Sequence, residues 1–320
     1  MDADPATASA LDPHDFSYSV VIPVYNSAPL VGATVDGLLT MFAERGLRHQ
    51  VVLVNDGSRD DSWRVISHLA RSAEPVVAIN LLKNYGQHHA NLAGLRAATG
   101  DYVITMDDDG QNPPDQVPLL IDAAMRGHDV VFGEFERKRA AGYRRLGSSL
   151  IGMVNRRIFA QPADLVVSNF RILRRDVVDR ICASRTAHPY LTGQALMYSS
   201  HRANVTVRHE PRAVGASTYS LIRILRLVTT ILFSYSSFPL RFLALIGFGV
   251  AGVSFLLGAF YLVTGLVTET RVEGWTTIAV LLAIFNGFTI ALLSMLGEYV
   301  VRTLNAVSAQ DTYHVRERVG

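Results

Sequence analysis

Over the first two-thirds of the chain, apolar residues fall in short β-branched runs separated by polar turns; over the last third they fall in long runs without charge. Residues 18–24 (Tyr-Ser-Val-Val-Ile-Pro-Val) predict a buried strand ended by Tyr25-Asn26-Ser27-Ala28-Pro29, and a helical pattern follows from about Leu30 to Arg45. Residues 50–54 predict a second strand. The polar stretch after it combines a tight turn, Asn55-Asp56-Gly57-Ser58, with the N-cap candidates of the next helix, ending at Ser62. A third strand is expected at 76–82, a helix at 91–99 closed by Gly100, and a fourth strand at 102–106. This alternation predicts right-handed βαβ units and an α/β domain with a mostly parallel sheet. Further strands are expected at 129–132, 166–173 and, on an edge, 205–209, with a helix at 176–181.

The fourth strand delivers Asp107, Asp108 and Asp109 to a point where Gly110, Pro113 and Pro114 prevent its continuation. Carboxylates this close repel one another. A hard divalent cation with oxygen ligands relieves the repulsion; a solvated acidic turn is the other reading. Ligands bind at the carboxyl ends of parallel strands, so the turns at Tyr25-Asn26, Asp56-Gly57-Ser58 and Asp107 to Gln111 should converge on one crevice. The chain contains neither Gly-x-Gly-x-x-Gly nor a Gly-Lys-Ser/Thr loop, which excludes a dinucleotide fingerprint and a P-loop.

Charge and hydropathy add a membrane. Residues 242–268 and 274–297 carry no charged side chain, and each run exceeds the roughly 20 residues that span a bilayer core. Only residues 269–273 separate them, which predicts a transmembrane hairpin. Arg223, Arg226 and Arg241 precede it and Arg302, Arg316 and Arg318 follow it, so both termini and the α/β domain are expected on the cytosolic side of the cytoplasmic membrane. Two buried helices of a soluble core are the alternative. Arg223 and Arg226 lie three apart in the apolar segment 221–235, the pattern of an interfacial helix. The basic stretch from Arg137 to Arg157 is interleaved with Leu150, Ile151, Met153 and Val154; it reads as a solvated helix face or as a membrane surface that grips an anionic headgroup.

The expected organisation is a loose acidic tail at 1–16, a catalytic domain at 17–212, a juxtamembrane loop and interfacial helix at 213–239, the hairpin at 240–302 and a C-terminal tail at 303–320. A formal net charge of +2 over 320 residues argues against a nucleic-acid binder, and one cysteine, Cys182, excludes an internal disulfide.

Several ordered motifs resemble one family. Val21-Ile-Pro-Val-Tyr-Asn26, Val54-Asn-Asp-Gly-Ser-Arg-Asp-Asp-Ser62, Asn84-Tyr-Gly86 with Ala93-Gly-Leu95, Met106 to Asp115, Phe170-Arg171, and Arg212 to Ser220 running into Pro239-Leu-Arg241 are similar to the GT-A-fold inverting glycosyltransferases that load a sugar onto a polyprenyl phosphate. The dolichyl-phosphate mannose synthase group, in its bacterial form with a C-terminal hairpin, looks closest. The chain departs from that pattern at Ser27, Gly110 and Thr218, where the family usually carries Glu, Leu and Lys.

The resemblance implies a GT-A nucleotide-sugar-binding domain in which Asp107, Asp109 and Gln111 hold Mg²⁺ or Mn²⁺ on the donor diphosphate. Pro23, Tyr25, Asn26, Asp56, Gly57, Ser58 and Asp108 would form the donor nucleotide site, with Asp56 on the base. Arg137, Arg139, Arg144, Ser148 and Ser217 would grip the acceptor phosphate, and Arg212 would close over the diphosphate. The implied partners are a nucleotide-sugar, preferably a UDP-sugar with a GDP-sugar possible, polyprenyl (undecaprenyl) phosphate, the bilayer, and further copies of the chain in a homo-oligomer, a tetramer by family analogy. A transferase acting on another membrane lipid and a non-catalytic nucleotide-sugar-binding scaffold are the alternatives. A processive polysaccharide synthase would need a Gln-x-x-Arg-Trp-type motif and more spans, and the chain has neither.

Overall fold

The computed structural model describes residues 11–135, most of 152–210, scattered positions between 228 and 303, and residues 313–320. Two compact units divide the chain: residues 1–224 with 311–320, and residues 225–310.

The first unit is a three-layer α/β domain around a mixed eight-stranded sheet. In chain order the elements are β1 (Ser17–Val24), α1 (Ala28–Glu44), β2 (Arg48–Asn55), α2 (Ser62–Ser72), β3 (Val76–Leu81), α3 (Gln87–Ala97), β4 (Tyr102–Thr105), α4 (Val117–Ala124), β5 (Val130–Phe135), β6 (Arg171–Arg174), α5 (Arg175–Ala183), α6 (Leu191–Met197), β7 (Arg202–Val207) and β8 (Val315–Val319). Across the sheet the strands run β7-β5-β6-β4-β1-β2-β3-β8. The β4-β1-β2-β3 pairs are parallel, as is β5-β7, whereas β6 is antiparallel to both β4 and β5 and β8 antiparallel to β3.

Strands β1 to β4 are apolar on both faces because helices cover both. Tyr18, Val20, Ile22, Val51, Leu53 and Ile104 join the core formed with α1, α2 and α4, in which Val35, Leu38, Phe42, Ile66, Leu120 and Ile121 are buried. The alternate residues Val21 and Val54 face α3, which sits so close that a Cβ on Gly94 would strike the Val21 side chain. Gly94 is therefore a packing requirement of the helix–sheet contact.

Pro23 is the one residue of β1 without a ladder donor, unusual in a central strand. The last bond from the β4 side is Met106 N–H to the Val21 carbonyl (3.2 Å). Two residues on, β4 has already turned away into the acidic triplet, so Pro23 leaves no bond unmade there. The split between β1 and β4 opens the crevice at the carboxyl end of the sheet.

Some expectations shift. Helix α3 begins at Gln87 rather than Asn91, and β6 begins only at Arg171, because Thr105 Oγ donates to the Asn169 carbonyl (2.6 Å) ahead of the regular ladder. Residues 11–16 of the expected tail are docked, with Leu11 N–H on the Met125 carbonyl (2.9 Å) and the Tyr18 hydroxyl on that of Pro13 (2.9 Å). Helix α4, helix α6 and strand β8 were not foreseen, and β8 lies within the segment expected only as a C-terminal tail.

The segment expected to form the hairpin, 240–302, falls in the second unit, and most of it lies outside the described residues. Among the described residues no helix is long and apolar enough to cross a membrane. Its described positions include helical residues with exposed apolar side chains, among them Leu245 (70%), Leu256 (68%) and Val267 (78%).

Candidate active site

The three polar turns do converge. Tyr25 N–H donates to Asp108 Oδ2 (3.1 Å), and Asn26 N–H to Ser58 Oγ (3.0 Å). Arg59 N–H returns a bond to Asn26 Oδ1 (2.8 Å), which helps hold Asn26 at φ 52°, an uncommon conformation that Asn tolerates better than most residues. Asp60, among the N-cap candidates before α2, braces the same junction. Its carboxylate accepts from Ala28 N–H (3.1 Å) and Ser62 Oγ (2.5 Å), and Ser62 Oγ accepts from Ser27 N–H (2.9 Å).

A fourth turn, after β3, closes on the second. Tyr85 and Gly86 donate their backbone N–H groups to Asp56 Oδ1 (2.7 Å) and Oδ2 (2.9 Å), and Asn84 Nδ2 donates to the Asp56 carbonyl (3.1 Å). Gly57, at φ +64°, faces the backbone of Lys83 and Asn84. Asp56 is only 3% exposed; burial raises its pKa, and the two amides partly offset this.

Around the acidic triplet, Asp107 Oδ1 accepts from Asn169 Nδ2 (2.6 Å) and from the Gln87 amide. Asn91 Nδ2 in turn donates to Asn169 Oδ1 (3.3 Å). Burial, then the neighbouring Asp109 charge, lifts the Asp107 carboxyl to about 6 against the pull of Asn169. Asp108 is also raised by burial, with the Ser27 hydroxyl and Tyr25 N–H working against it. Asp109 Oδ1 accepts Gln111 N–H (3.1 Å). Beneath them Arg171 is 1% exposed, its guanidinium bonded to Thr192 Oγ (3.0 Å), and burial lowers it to about 10. Gly110 sits at φ +72°, where a leucine would be strained, so this departure follows from the turn's own backbone.

Adjacent, partly desolvated carboxylates joined by a side-chain amide are a donor set that suits a hard divalent cation. Among the described residues no three His, Cys, Asp or Glu side chains are grouped as a metal centre; the expected set of Asp107, Asp109 and Gln111 contains two carboxylates and one amide.

Glu210 N–H donates to the Gln111 carbonyl (3.1 Å), while Arg208 binds Asp115 (2.7 Å) and its N–H reaches Gln116 Oε1 (2.9 Å). The chain that leaves β7 is thereby clipped onto the acidic turn. The remaining expected residues, Arg137, Arg139, Arg144, Ser148, Arg212 and Ser217, together with Thr218, lie outside the described residues.

The site residues Asn169, Gln87 and Glu210 carried no sequence signal toward the triplet. Asn84-Tyr85-Gly86 stands out in the sequence as a motif, but its pairing with Asp56 is visible only in the fold.

A family model described as glycosyl transferase family 2 matches residues 19–182, which contain all four turns. The chain belongs to this family. As a glycosyltransferase it is 33% identical over 304 residues to an undecaprenyl-phosphate 4-deoxy-4-formamido-L-arabinose transferase of Shewanella sediminis, covering 93% of this chain and 91% of the relative. The Pseudomonas aeruginosa enzyme of the same description is 34% identical, covering 94% and 89%. Among solved structures, glucosyl-3-phosphoglycerate synthase from Mycobacterium tuberculosis, crystallised with Mn²⁺, UDP and phosphoglyceric acid, superimposes on the transferase with a TM-score of 0.51 at 17% identity, covering 68% of this chain and 77% of that one. Mannosyl-3-phosphoglycerate synthase from Rubrobacter xylanophilus gives 0.50 at 16% identity, covering 76% and 81%. These likenesses establish the GT-A-like fold.

Proposed function

We propose that this transferase moves a sugar from a nucleoside diphosphate, UDP for preference, to polyprenyl phosphate, specifically undecaprenyl phosphate, with inversion at the anomeric carbon, for cell-envelope modification. The observation that carries the reading is the likeness to undecaprenyl-phosphate sugar transferases across more than nine-tenths of the chain, including the apolar last third. The exposed apolar helix positions Leu245, Leu256 and Val267 are what a lipid-facing surface presents and support the membrane hairpin, while the arginines that flank it support a cytosolic catalytic domain.

Asp107, Asp109 and Gln111 would hold Mg²⁺ or Mn²⁺, which supplies charge neutralisation for the departing diphosphate. Pro23, Tyr25, Asn26, Gly57, Ser58 and Asp108 line the base and ribose side of the crevice, with Asp56 on the base. Arg212 and Ser217, a few positions after Glu210, which is clipped to Gln111, would bind the diphosphate. Arg137, Arg139, Arg144 and Ser148 receive the acceptor phosphate.

An acceptor phosphate oxygen, already ionised near neutral pH, forms the new bond to the anomeric carbon as the bond to the nucleoside diphosphate breaks. No strong general base is needed. Catalysis lies in placing two anions in line and neutralising them.

Membranes containing the chain, given labelled UDP-sugar and undecaprenyl phosphate, should yield mild-acid-labile, lipid-extractable label. Asp109→Ala should abolish it. Label that persists in Asp109→Ala would remove the carboxylate assignment, and no label with any donor would favour a binding scaffold.

A further inference from the structure

We infer that the C-terminal segment Tyr313–Gly320 is part of the donor site: it positions the turn after β3 on which Asp56 depends, and so sets donor affinity. The inference rests on the proposed placement of the nucleotide base at Asp56.

Strand β8 adds little to the core. Val315, Arg316, Glu317 and Arg318 are all exposed, and only Val319 packs, partly buried, against the main cluster. What β8 supplies is main chain. It pairs Ala78 with Val319, Ile79 with Arg318, Asn80 with Glu317 and Leu81 with Val315, the register shifting between Asn80 and Leu81. Every residue of β3 is buried, so β8 satisfies an edge that would otherwise be open.

The pairing does not stop where β3 stops. Leu82 N–H donates to the His314 carbonyl (2.9 Å), which carries the clamp to the residue before the turn. The His314 ring meets the edge of Tyr85 at 6.4 Å between centroids, and the Lys83 ammonium lies 5.4 Å from the centre of the Tyr85 ring. Tyr313, only 9% exposed, accepts a bond from Arg96 of α3 (3.3 Å) and takes that guanidinium over its ring at 5.4 Å.

Tyr313 and His314 therefore tie together α3, the end of β3 and the ring of Tyr85. Tyr85 and Gly86 deliver the two backbone N–H groups that fix both Asp56 oxygens. Release of the clamp lets the turn drift, and the Asp56 carboxylate loses its orientation toward the base. Asp109 and the segment at Glu210 lie on other elements and keep their own partners, and Asp107 keeps Asn169 even if its Gln87 donor, next to Gly86, moves with the turn.

Tyr313→Ala/His314→Ala in the full-length enzyme should raise the donor KM and the UDP dissociation constant by about three- to tenfold, the scale of one lost aromatic contact and its ordering effect. The acceptor KM should stay put. His314→Phe, which keeps a ring against Tyr85, should retain near wild-type UDP affinity, and a chain ending at Thr312 should be impaired beyond the double variant. If the double variant folds with UDP affinity within twofold of wild type, the inference is overturned. It is equally overturned if donor KM, acceptor KM and kcat all move together, or if His314→Phe is as impaired as His314→Ala.

Asp56→Asn separates the two levels of the argument. Unchanged UDP affinity in Asp56→Asn removes the base placement itself. Weakened UDP binding in Asp56→Asn with none in the tail variants removes the tail inference alone.

Discussion

Replacing Gly57 by alanine tests whether the turn after β2 and the turn after β3 are one mechanical unit. At φ +64° a side chain costs about 1–2 kcal/mol from local sterics alone. The added Cβ would also fall on the Asn84 backbone nitrogen and 2.5 Å from the Lys83 carbonyl carbon. Neither neighbour is a flexible side chain, so relief requires the Lys83–Asn84 backbone to retreat by about 1 Å to reach ordinary contact. That same backbone carries Tyr85 and Gly86 to Asp56 at 2.7 and 2.9 Å, and a retreat of that size takes both beyond hydrogen-bond distance.

A hydrogen bond to a charged group contributes about 1.5–3 kcal/mol, so the full cost is about 3–5 kcal/mol once part of the strain is shared. Gly46→Ala is the control. Gly46 has φ +62° with nothing within 4 Å of an added Cβ, so it bears the conformational cost alone. Thermal unfolding of the two purified variants should differ by about 2–3 kcal/mol, or roughly 4–12 °C in midpoint, with UDP affinity lost only in Gly57→Ala. Midpoints within about 2 °C of each other, with equal UDP affinity, would refute the coupling.

Asn169→Ala removes the 2.6 Å bond to Asp107 Oδ1 and leaves the Gln87 amide as the remaining side-chain donor there. Mn²⁺ titrated into donor-free enzyme and followed by electron paramagnetic resonance should bind about tenfold more weakly, the scale of one charge-assisted hydrogen bond; an unchanged affinity would show that Asn169 does not orient the carboxylate. His88 lies against Tyr190 (5.5 Å between ring centroids), and burial, reinforced by Arg171, lowers it to about 4. Its folded-state value lies below its unfolded one, so the unfolded chain binds more protons between pH 4 and pH 6.5. Its contribution, on the order of 1–3 kcal/mol, is fully present above about pH 6.5 and is lost as pH falls toward 4. Denaturant midpoints for wild type and His88→Gln should converge on acidification across that window. Parallel curves would remove the assignment.

The strand positions of β1 to β5, the convergence of three turns and the acidic triplet were legible because each depends on local pattern. β-Branched runs and turn residues declare themselves within a few positions, and parallel βαβ connectivity leaves one end of the sheet for the turns. Gly110 reads in the sequence as a strand breaker and as a departure from the family pattern; its positive φ supplies the reason for both.

What only the tertiary structure decided are the partners brought from far along the chain. Asn169 reaches Asp107 across 62 positions, because β6 inserts antiparallel beside β4. Glu210 meets Gln111 because β7 runs parallel to β5, and nothing in either segment announces the other. Strand β8 was invisible for a different reason. Val-Arg-Glu-Arg-Val is too polar to read as a buried strand, and it pairs as an exposed edge strand because the edge of β3 offers it unpaired main-chain groups. The sequence by itself determined the elements and the chemistry carried on the turns. Long-range backbone pairing decided which side chains hold that chemistry in place, since main-chain hydrogen bonds are nearly blind to residue type.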